Sequence, residues 1–389
     1  MTFLNNAELR MPKVLLFGQN SVNALTDEVK KLNKKKALLV TDDIMIKAGY
    51  VEKVEKLLKD AKISTVIFKD IKGEPTDIDV ENGLNVFNEN KCDFFVGLGG
   101  GSPIDTAKAI AIMSTNEGPI SNYMGANKVK NPVPPIVVIP TTAGTGSEMT
   151  KFTIIADTKN NVKMLIGDPY IMPTISVSDP MFTISVPPKT TAATGIDAFC
   201  HAVESYTSKK AQPFTDTIAL SAIKLISENL REAWCNGDNL TARTNMMLAA
   251  TQAGITFNNA SVTLIHGMSR CIGALFHVPH GISNAVLLPV WAEYTYIANP
   301  KKFANIAVAM GENIDGLSTL DAAKKACEAM KRLCSDIEIP PIRGLGIEKE
   351  AFERSLSKMA HDAIESGSPS NNARSVNEEQ IIELYKKAW

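Results

Sequence analysis

Histidine is scarce in this chain of 389 residues, and its placement is uneven. Only five histidines occur, and His266, His277 and His280 lie within a stretch of fifteen residues. His201 follows Asp197 by four residues in a segment with helical periodicity, so both side chains share one face of the helix. One carboxylate and three imidazoles form a ligand set that suits Fe(II), Zn(II) or Co(II). The sequence therefore predicts a metal site at Asp197, His201, His266 and His280.

A glycine-rich segment directly follows an apolar stretch. Phe94-Phe-Val-Gly-Leu98 predicts a buried strand, and Gly99-Gly-Gly-Ser-Pro-Ile-Asp-Thr-Ala-Lys108 then leads into a helix. Glycine lets the backbone approach a ligand closely, and the first turn of a helix presents free N–H groups to an anion. The segment is therefore typical of a pyrophosphate site, with a simple strand-to-helix turn as the alternative.

A second loop, Pro140-Thr-Thr-Ala-Gly-Thr-Gly-Ser-Glu148, also follows an apolar strand and is rich in small hydroxyl residues. Ligands of open α/β sheets bind beyond the carboxyl ends of the strands, so two such loops favour one nucleotide site. Asp42 ends the first clear strand, where a carboxylate can bind a ribose diol and repel a 2′-phosphate. That position favours NAD over NADP, although Asp43 at the same turn is a candidate helix cap.

The order of apolar and helical segments predicts the architecture that holds these residues. In the first half of the chain, strands alternate with helices, which implies crossover connections and a parallel sheet. One of these helices spans 77–90, with Thr76 as its N-cap. From Thr190 onward the pattern is almost wholly helical. We therefore expect an α/β domain over residues 1–185 and an all-helical domain over residues 186–389. The predicted strands are 37–41, 64–68, 94–98 and 135–139.

Composition excludes several classes of protein. The chain has 41 basic and 42 acidic residues, so it lacks the excess of positive charge that nucleic-acid binding requires. No apolar run reaches the length of a membrane span, and the first ten residues contain no signal-peptide core. The six scattered cysteines predict reduced thiols and a cytoplasmic location. We expect a small-molecule substrate, no nucleic acid and no membrane.

Four segments together resemble one known family. GGGSPIDTAK, PTTAGTGSE, GIDAFCHAVE and HGMSRCIGALFHVPHGISNAVLLP are similar to segments of the iron-dependent, group III alcohol dehydrogenases. The similarity is greatest to the branch of lactaldehyde reductase, also called 1,2-propanediol oxidoreductase, and it covers nearly the whole chain. It implies a nucleotide-binding α/β domain and an all-helical metal-binding domain, a fold shared with dehydroquinate synthase. In that family the cofactor and the metal meet in the cleft between the domains.

The resemblance also implies ligands and partners. It implies NAD as the cofactor, Fe(II) as the metal, and a homodimer or a larger homo-oligomer. Zn(II) is the alternative metal, because affinity favours it. The metal ligands that the resemblance implies are Asp197, His201, His266 and His280. Together, the loops and the resemblance predict the cofactor-binding residues. They are Asp42, Gly100, Gly101, Ser102, Asp105, Thr141, Thr142, Thr145 and Lys163.

The predicted reaction is reversible hydride transfer between NAD(H) and a short-chain alcohol or aldehyde. A metal ion polarises the carbonyl group and stabilises the developing alkoxide, while the nicotinamide supplies the hydride. No serine or cysteine nucleophile is needed for this chemistry. Phe257 is a candidate wall of the substrate pocket, with a place in the helix core as the alternative.

Two positions depart from the pattern of the family. Many relatives carry a histidine where this chain has Arg270, and the propanediol enzymes lack the histidine found here at His277. We predict that His277 is the proton relay, with a packed or hydrogen-bonding histidine as the alternative. Arg270 lies one helical turn beyond His266 and is predicted to bind an anionic substrate group, as in sulfoacetaldehyde or succinic semialdehyde. An arginine paired with a carboxylate at the domain interface is the alternative.

Two other classes of function share part of this pattern. Sugar-phosphate cyclases such as dehydroquinate synthase resemble the architecture and use NAD and a metal in a lyase reaction. They need several cationic residues for the substrate phosphate, and their motif set does not occur in this sequence. A non-catalytic, metal-dependent regulator would need a DNA- or partner-binding surface, for which the charge balance gives no support. The sequence therefore favours an oxidoreductase.

Overall fold

The computed structural model describes residues 7–160 and 162–389, which divide into two units. One unit is Met11–Ser185, and the other is Val186–Trp389 together with residues 7–10. The predicted boundary after residue 185 assigns residues 7–10 to the α/β domain. They belong to the second because the backbone of Arg10 is held by Asn259, which accepts from its N–H at 2.7 Å and donates to its carbonyl at 3.0 Å.

The unit Met11–Ser185 is built on a parallel sheet of six strands, as the alternation of strands and helices predicts. Its strand order is β1-β9-β6-β4-β2-β3, and β7 pairs antiparallel with β8 in a second, small sheet that β5 extends. The sequence pattern does not predict β1, β9 or the small sheet. The strands are β1 (Val14–Phe17), β2 (Lys36–Val40), β3 (Ser64–Phe68), β4 (Phe94–Gly99), β5 (Gly125–Ala126), β6 (Ile136–Pro140), β7 (Phe152–Asp157), β8 (Val162–Gly167) and β9 (Ile175–Ser178).

Five helices complete this unit. The predicted N-cap of the fourth is confirmed, because Thr76 Oγ1 accepts from Asp79 N–H at 3.1 Å and the Asp79 carboxylate accepts from Thr76 N–H at 2.9 Å. The fifth helix begins one residue after β4 and carries Pro103 in its first turn, where a missing N–H costs nothing. The helices are α1 (Leu25–Lys30), α2 (Asp43–Lys47), α3 (Tyr50–Asp60), α4 (Asp77–Glu89) and α5 (Gly101–Met113).

The six-stranded sheet separates two apolar cores. Alternate residues of each strand point to opposite faces, so Leu38 and Phe95 enter one core while Leu39 and Val96 enter the other. Helices cover both faces, which is the arrangement that parallel sheets require. This packing fixes the carboxyl ends of β2, β4 and β6 side by side, and the predicted nucleotide loops begin there.

The second unit consists of helices, as predicted. Its central helix, α6, is buried almost continuously from Gly195 to Thr207, because α7, α8 and α10 pack around it. Prolines begin α6, α7 and α11, where a missing N–H costs nothing. The helices are α6 (Pro188–Thr207), α7 (Pro213–Cys235), α8 (Leu240–Ala260), α9 (Leu264–Phe276), α10 (His280–Thr295), α11 (Pro300–Ala309), α12 (Thr319–Asp336), α13 (Lys349–Glu365) and α14 (Glu378–Ala388).

Candidate metal centre and cofactor loops

Three helices of the second unit bring the four predicted metal ligands together. Asp197 and His201 lie one turn apart on α6, His266 lies in the first turn of α9, and His280 is the first residue of α10. The start of α10 lies very close to α6 because residue 281 is glycine. A side-chain carbon on Gly281 would lie 2.5 Å from the carbonyl oxygen of Ala193. The close approach of the two helices therefore depends on a glycine that no ligand motif explains.

Ligand atoms of Asp197, His201 and His266 all lie within 4.8 Å of one another, close enough for a single ion, and His280 lies outside this group. Oδ1 of Asp197 lies 3.6 Å from Nε2 of His266 and 3.9 Å from Nε2 of both His201 and His280. Metal–ligand bonds of about 2.1 Å in tetrahedral geometry place ligand atoms about 3.4 Å apart, so the three grouped residues would contract modestly around an ion and His280 would move closer to join them. The side chain of His280 is 32% exposed and the other three are almost fully buried. The centre therefore opens to solvent on the side of His280.

A buried carboxylate holds one of the ligands in the form that a metal requires. Glu204 Oε2 accepts a hydrogen bond from His266 Nδ1, which leaves the lone pair of Nε2 directed at the ion site. The other oxygen of Glu204 accepts from the N–H groups of Thr263 at 3.0 Å and Ile265 at 2.8 Å, at the start of α9. Glu204 thus fixes both the helix and the ring orientation. No sequence motif assigns Glu204 a role, although it lies three residues after His201 on the same face of α6.

The side chain of Asn284 also belongs to the centre. Its Nδ2 donates to Asp197 Oδ1 at 2.6 Å and lies 3.1 Å and 3.2 Å from Nε2 of His266 and His280. Oδ1 of the same amide is buried and has no hydrogen-bond partner among the described residues. Three prospective metal ligands therefore surround a single amide nitrogen. The only sequence signal for Asn284 is its position one turn after His280 on α10.

The charges of the centre favour a cation. Burial raises the pKa of Asp197, but the imidazoles of His201, His266 and His280 outweigh it and hold that pKa well below its usual range. The pKa of Glu204 is lowered in the same way, because the effect of His266 outweighs the effect of burial. Burial alone would lower the pKa of His266. The carboxylates of Glu204 and Asp197 raise that pKa by more, so its net shift is upward. Two carboxylates are thus ionised in a buried site, and a proton competes with a metal for His266.

Phe257 of α8 packs directly on this centre. Its ring stacks on the imidazole of His201 at 4.1 Å, and His201 in turn stacks on His266 at 4.5 Å. The side chain is half-buried. The ring of Phe257 is therefore close to the ligand set and retains some exposure, as a wall of a substrate pocket would.

Arg270, the predicted anion-binding residue, and His277, the predicted proton relay, occupy different environments. The guanidinium of Arg270 donates to Ser368 Oγ at 3.0 Å, and no carboxylate of the described residues lies within ion-pair distance of it. The predicted alternative, an ion pair between Arg270 and a carboxylate, is therefore absent among the described residues. His277 is an exposed residue that ends α9 in the left-handed conformation, with φ of 54°. No hydrogen bond or ring contact of the described metal centre involves it.

In the other unit, the two predicted cofactor loops lie against each other. They follow the adjacent parallel strands β4 and β6, and a side-chain carbon on Gly101 would lie 3.1 Å from the methyl group of Thr145. Gly100 precedes α5 without a side-chain cap, so the first N–H groups of that helix are free for an anion. Oγ1 of Thr142 is buried with no hydrogen-bond partner among the described residues. A nucleotide phosphate fits this combination of free donors and small residues.

Other residues expected at the cofactor have protein partners of their own. Asp105 accepts from Ser147 Oγ at 2.6 Å and from Ile154 N–H at 2.9 Å, so its carboxylate ties α5 to the start of β7. Lys163 forms an ion pair with Glu74 at 2.5 Å. Oδ1 of Asp42 caps α2 by accepting from two N–H groups, so Asp42 rather than Asp43 is the cap. Thr141 is buried at the end of β6, and Ser102 lies in the first turn of α5.

Lys108, the last residue of the glycine-rich motif, supports the second loop. Its ammonium group is fully buried and donates to five oxygens of Ser147, Thr150 and Phe152 at 2.6 to 3.2 Å. Burial lowers the pKa of Lys108 to about 8, against the opposing effects of Asp105 and Glu148. This role of Lys108 is not visible in the sequence, because its acceptors are mostly main-chain oxygens that a motif does not reveal.

Within residues 7–160 and 162–389, no helix is long and apolar enough to cross a membrane. An α/β unit with a glycine-rich loop at its strand ends and a helical unit with a buried carboxylate–histidine cluster suit an enzyme that uses a nucleotide and a metal ion. Residues 12–180 match the family of iron-containing alcohol dehydrogenases, and residues 191–389 match the C-terminal part of the Fe-containing alcohol dehydrogenase family. The chain belongs to this family, and it is an enzyme of the alcohol dehydrogenase class.

Curated relatives match the chain over almost its entire length. It is 45% identical to the 1,3-propanediol dehydrogenase of Citrobacter freundii over 97% of this chain and 98% of that protein. It is 37% identical to the lactaldehyde reductase of Escherichia coli K12 over 96% and 97% of the respective lengths. The expected similarity to lactaldehyde reductase is therefore present, and the similarity to a 1,3-propanediol dehydrogenase is higher.

Solved structures have the same fold. A 1,3-propanediol oxidoreductase superposes with a TM-score of 0.96 at 44% identity, over 99% of this chain and all of that chain. The sulfoacetaldehyde reductase of Bifidobacterium kashiwanohense, in complex with NAD+, superposes with a TM-score of 0.85 at 25% identity, over 98% of both chains. The predicted fold class is confirmed.

Proposed function

We propose that this chain transfers a hydride reversibly between NAD(H) and a short-chain alcohol or aldehyde, with Fe(II) as its metal. The cluster of Asp197, His201 and His266, whose ligand atoms all lie within 4.8 Å of one another, carries the proposal in a member of the iron-containing alcohol dehydrogenases. The relatives described above are named for propanediol, lactaldehyde and sulfoacetaldehyde, all of them small alcohols or aldehydes.

The donor set fits a divalent cation. Asp197, His201, His266 and His280 would hold it, and Fe(II) when bound polarises a carbonyl oxygen and stabilises alkoxide charge. Glu204 keeps His266 in the tautomer that presents Nε2. Phe257, stacked on His201, would exclude water from one side and form a wall of the substrate pocket. Imidazole and carboxylate also suit Zn(II), so Fe(II) is proposed from the family rather than from the ligand types.

We propose NAD rather than NADP as the cofactor. The free N–H groups at Gly101 and Ser102 would bind the pyrophosphate, with Gly100 leaving room for it and Thr142 Oγ1 as a further hydrogen-bonding group. Asp42 stands at the carboxyl end of β2, where its carboxylate would bind the ribose diol. Four further residues would shape the site: Asp105, Thr141, Thr145 and Lys163. Asp105 and Lys163 would act indirectly, because their side chains already have protein partners.

His277 remains our proposal for the proton relay. It lies three residues before the ligand His280 and is exposed, so its imidazole would exchange protons with bulk water. The relay role requires the ring to reach the alcohol oxygen of the substrate during turnover.

We further propose that the protein is a cytoplasmic homodimer or larger homo-oligomer acting on small molecules. The six free cysteines, four of them buried, suit a reducing compartment. Light scattering coupled to gel filtration measures the oligomeric state, and a single species with the mass of one chain would contradict this part of the proposal.

An aldehyde screen tests the proposed function. The protein is purified without oxygen, stripped of metal, and reloaded with Fe(II) or Zn(II), and NADH consumption is followed with short aldehydes. We expect steady NADH oxidation with Fe(II) and little with the stripped protein. A sugar-phosphate cyclase would show no net NADH consumption, and a regulator would show no turnover with any aldehyde. Either result would overturn the proposal.

A further inference from the structure

We propose that Arg270 and Ser368 form an anion-binding subsite beside the metal centre, which selects aldehydes that carry a sulfonate or carboxylate group. This inference rests on the proposed function and specifies its substrate class. It follows from the position of the two residues, from the unbalanced charge of Arg270, and from a comparison with other buried cations of the chain.

The subsite lies on the helix that supplies a metal ligand. Arg270 follows His266 by one turn of α9, so both side chains leave the same face of the helix. The short 3-10 turn Ser368–Asn371 packs against this helix, since a side-chain carbon on Gly267 would lie 2.7 Å from Pro369. That packing places Ser368 Oγ 3.0 Å from Nη1 of Arg270. One helical turn is about 5.4 Å along the axis, roughly the length of a small aldehyde acid.

The charge of Arg270 lacks a counter-ion. Burial lowers the pKa of Arg270, which means that its positive charge is partly removed from water. The carboxylate that acts on it is Glu204, whose two oxygens are already engaged by His266 and by the start of α9. Nε of Arg270 is buried and has no hydrogen-bond partner among the described residues. Arg270 is half-buried and its guanidinium has Ser368 as a hydrogen-bond partner, so donors remain that an anion would satisfy.

Other buried cations of the same chain show what a purely structural role looks like. Arg243 donates to Gly237 O, Thr191 Oγ1 and Val186 O at 2.8 to 2.9 Å. Lys108 donates to five oxygens. Both cations are fully buried and surrounded by acceptors that belong to the fold, whereas half-buried Arg270 has one hydrogen-bond partner among the described residues, the hydroxyl of Ser368. Arg270 therefore differs from the cations that only hold the structure together.

The donors define the chemical class of the ligand. A guanidinium group binds two oxygens of a carboxylate or sulfonate in a fork. Ser368 Oγ accepts from Arg270, which leaves its own proton free to donate to a third oxygen or to the same group. The ligand is thus an aldehyde whose anionic group reaches Arg270 while its carbonyl oxygen faces the ligand set around His266.

A pair of substrates matched in shape tests this subsite. Sulfoacetaldehyde is compared with 3,3-dimethylbutanal, which replaces the sulfonate by a neutral tert-butyl group, on the wild type and on Arg270→Met, Arg270→Lys and Ser368→Ala. We expect Arg270→Met to lose about tenfold to hundredfold in kcat/KM for the anionic aldehyde, with little change for the neutral one. Arg270→Lys should recover part of the loss, because it restores the charge without the fork.

A binding measurement separates this inference from the proposed function. Methanesulfonate should raise the melting temperature of the wild type, with or without metal, and should not raise that of Arg270→Met. If the wild type reduces no aldehyde, the proposed function fails while the methanesulfonate shift still decides the subsite. Equal losses on both aldehydes in Arg270→Met, or a methanesulfonate shift that survives the substitution, would overturn the subsite.

Discussion

The side-chain nitrogen of Asn284 lies 2.6 Å from Oδ1 of Asp197, and the same nitrogen is close to Nε2 of His266 and of His280. An amide that contacts three prospective ligands holds them in place before a cation arrives. The ligand set is therefore organised by protein groups as well as by the metal, as is usual for residues that surround metal ligands.

Replacing Asn284 tests this organisation. Asn284→Leu keeps the volume of the side chain but removes the donor, so we expect the affinity for Fe(II) or Zn(II) to fall about tenfold to hundredfold. Competition with a coloured chelator measures the affinity. Ser283→Ala is the matched control, because its hydroxyl bonds to backbone carbonyls of the same helix turn and not to the ligands. Unchanged metal affinity in Asn284→Leu would show that the amide only fills space.

Glu204→Gln tests the carboxylate behind His266. A glutamine cannot accept from both His266 Nδ1 and the N–H groups of α9, because one end of its amide is a donor. Whichever way it turns, either the tautomer of His266 or the start of α9 is disturbed, and we expect metal affinity to fall about tenfold or more. Thr263→Ala, which removes a different hydrogen bond to Glu204, serves as the control. Glu204→Gln with full metal affinity would contradict the role.

His277→Asn tests the proton relay without disturbing the backbone. Asparagine tolerates the left-handed conformation that His277 adopts, so the end of α9 should be preserved. If His277 is the relay, the variant should lose the pH dependence of kcat that the imidazole imposes and should turn over more slowly. The pH–rate profile decides the question, and a profile identical to that of the wild type would remove His277 from the mechanism.

Asp42→Asn separates the charge of this side chain from its capping role. Asparagine caps helices as well as aspartate does, so stability should hold, while the loss of repulsion should improve the use of NADP about tenfold. Asp42→Ala should also relax the preference but cost about 1 kcal/mol in the free energy of unfolding. The ratio of kcat/KM for the two cofactors is the measurement. Equal use of both cofactors by the wild type would refute the placement of Asp42 at the ribose.

Lys108 makes the stability of its unit depend on pH in a defined direction. Its pKa is about 8 in the folded protein, whereas a lysine of an unfolded chain titrates near 10.4. Between these two pKa values the unfolded chain binds more protons than the folded protein does. The free energy of unfolding therefore increases as the pH rises. Lys108→Met lacks this contribution and leaves several oxygens unsatisfied, at a cost on the order of 3 kcal/mol. Urea unfolding should therefore show a growing gap between wild type and variant from about pH 8 to pH 10. A constant gap would contradict the lowered pKa.

The sequence predicts those parts of the molecule that local rules determine. The strands β2, β3, β4 and β6 are apolar runs, and the helix at 77–90 carries its own cap, so both are visible in short windows. The strands β1 and β9 are four residues long and pair with each other across the whole unit. Such pairing depends on distant parts of the chain, which a local pattern does not contain.

The same distinction applies to the candidate site. The metal ligands are visible because histidine is scarce and because Asp197 and His201 share a helix face. Glu204 and Asn284 share the faces of known ligands, but their residue types are common and their partners lie on other helices. Gly281 has no chemistry of its own, and its importance is apparent only from the contact with Ala193. Residues that act through a neighbouring element are therefore the ones that the sequence does not reveal.

Hydride transfer is tested most directly by the fate of an isotope. NADH with deuterium at the transferable position of the nicotinamide is incubated with a short aldehyde and the anaerobic, Fe(II)-loaded protein, and the alcohol is analysed by mass spectrometry. We predict one deuterium at the former carbonyl carbon, and almost none in the stripped protein or in His266→Ala. An alcohol without deuterium, or equal transfer after the metal has been removed, would contradict metal-dependent hydride transfer at this centre.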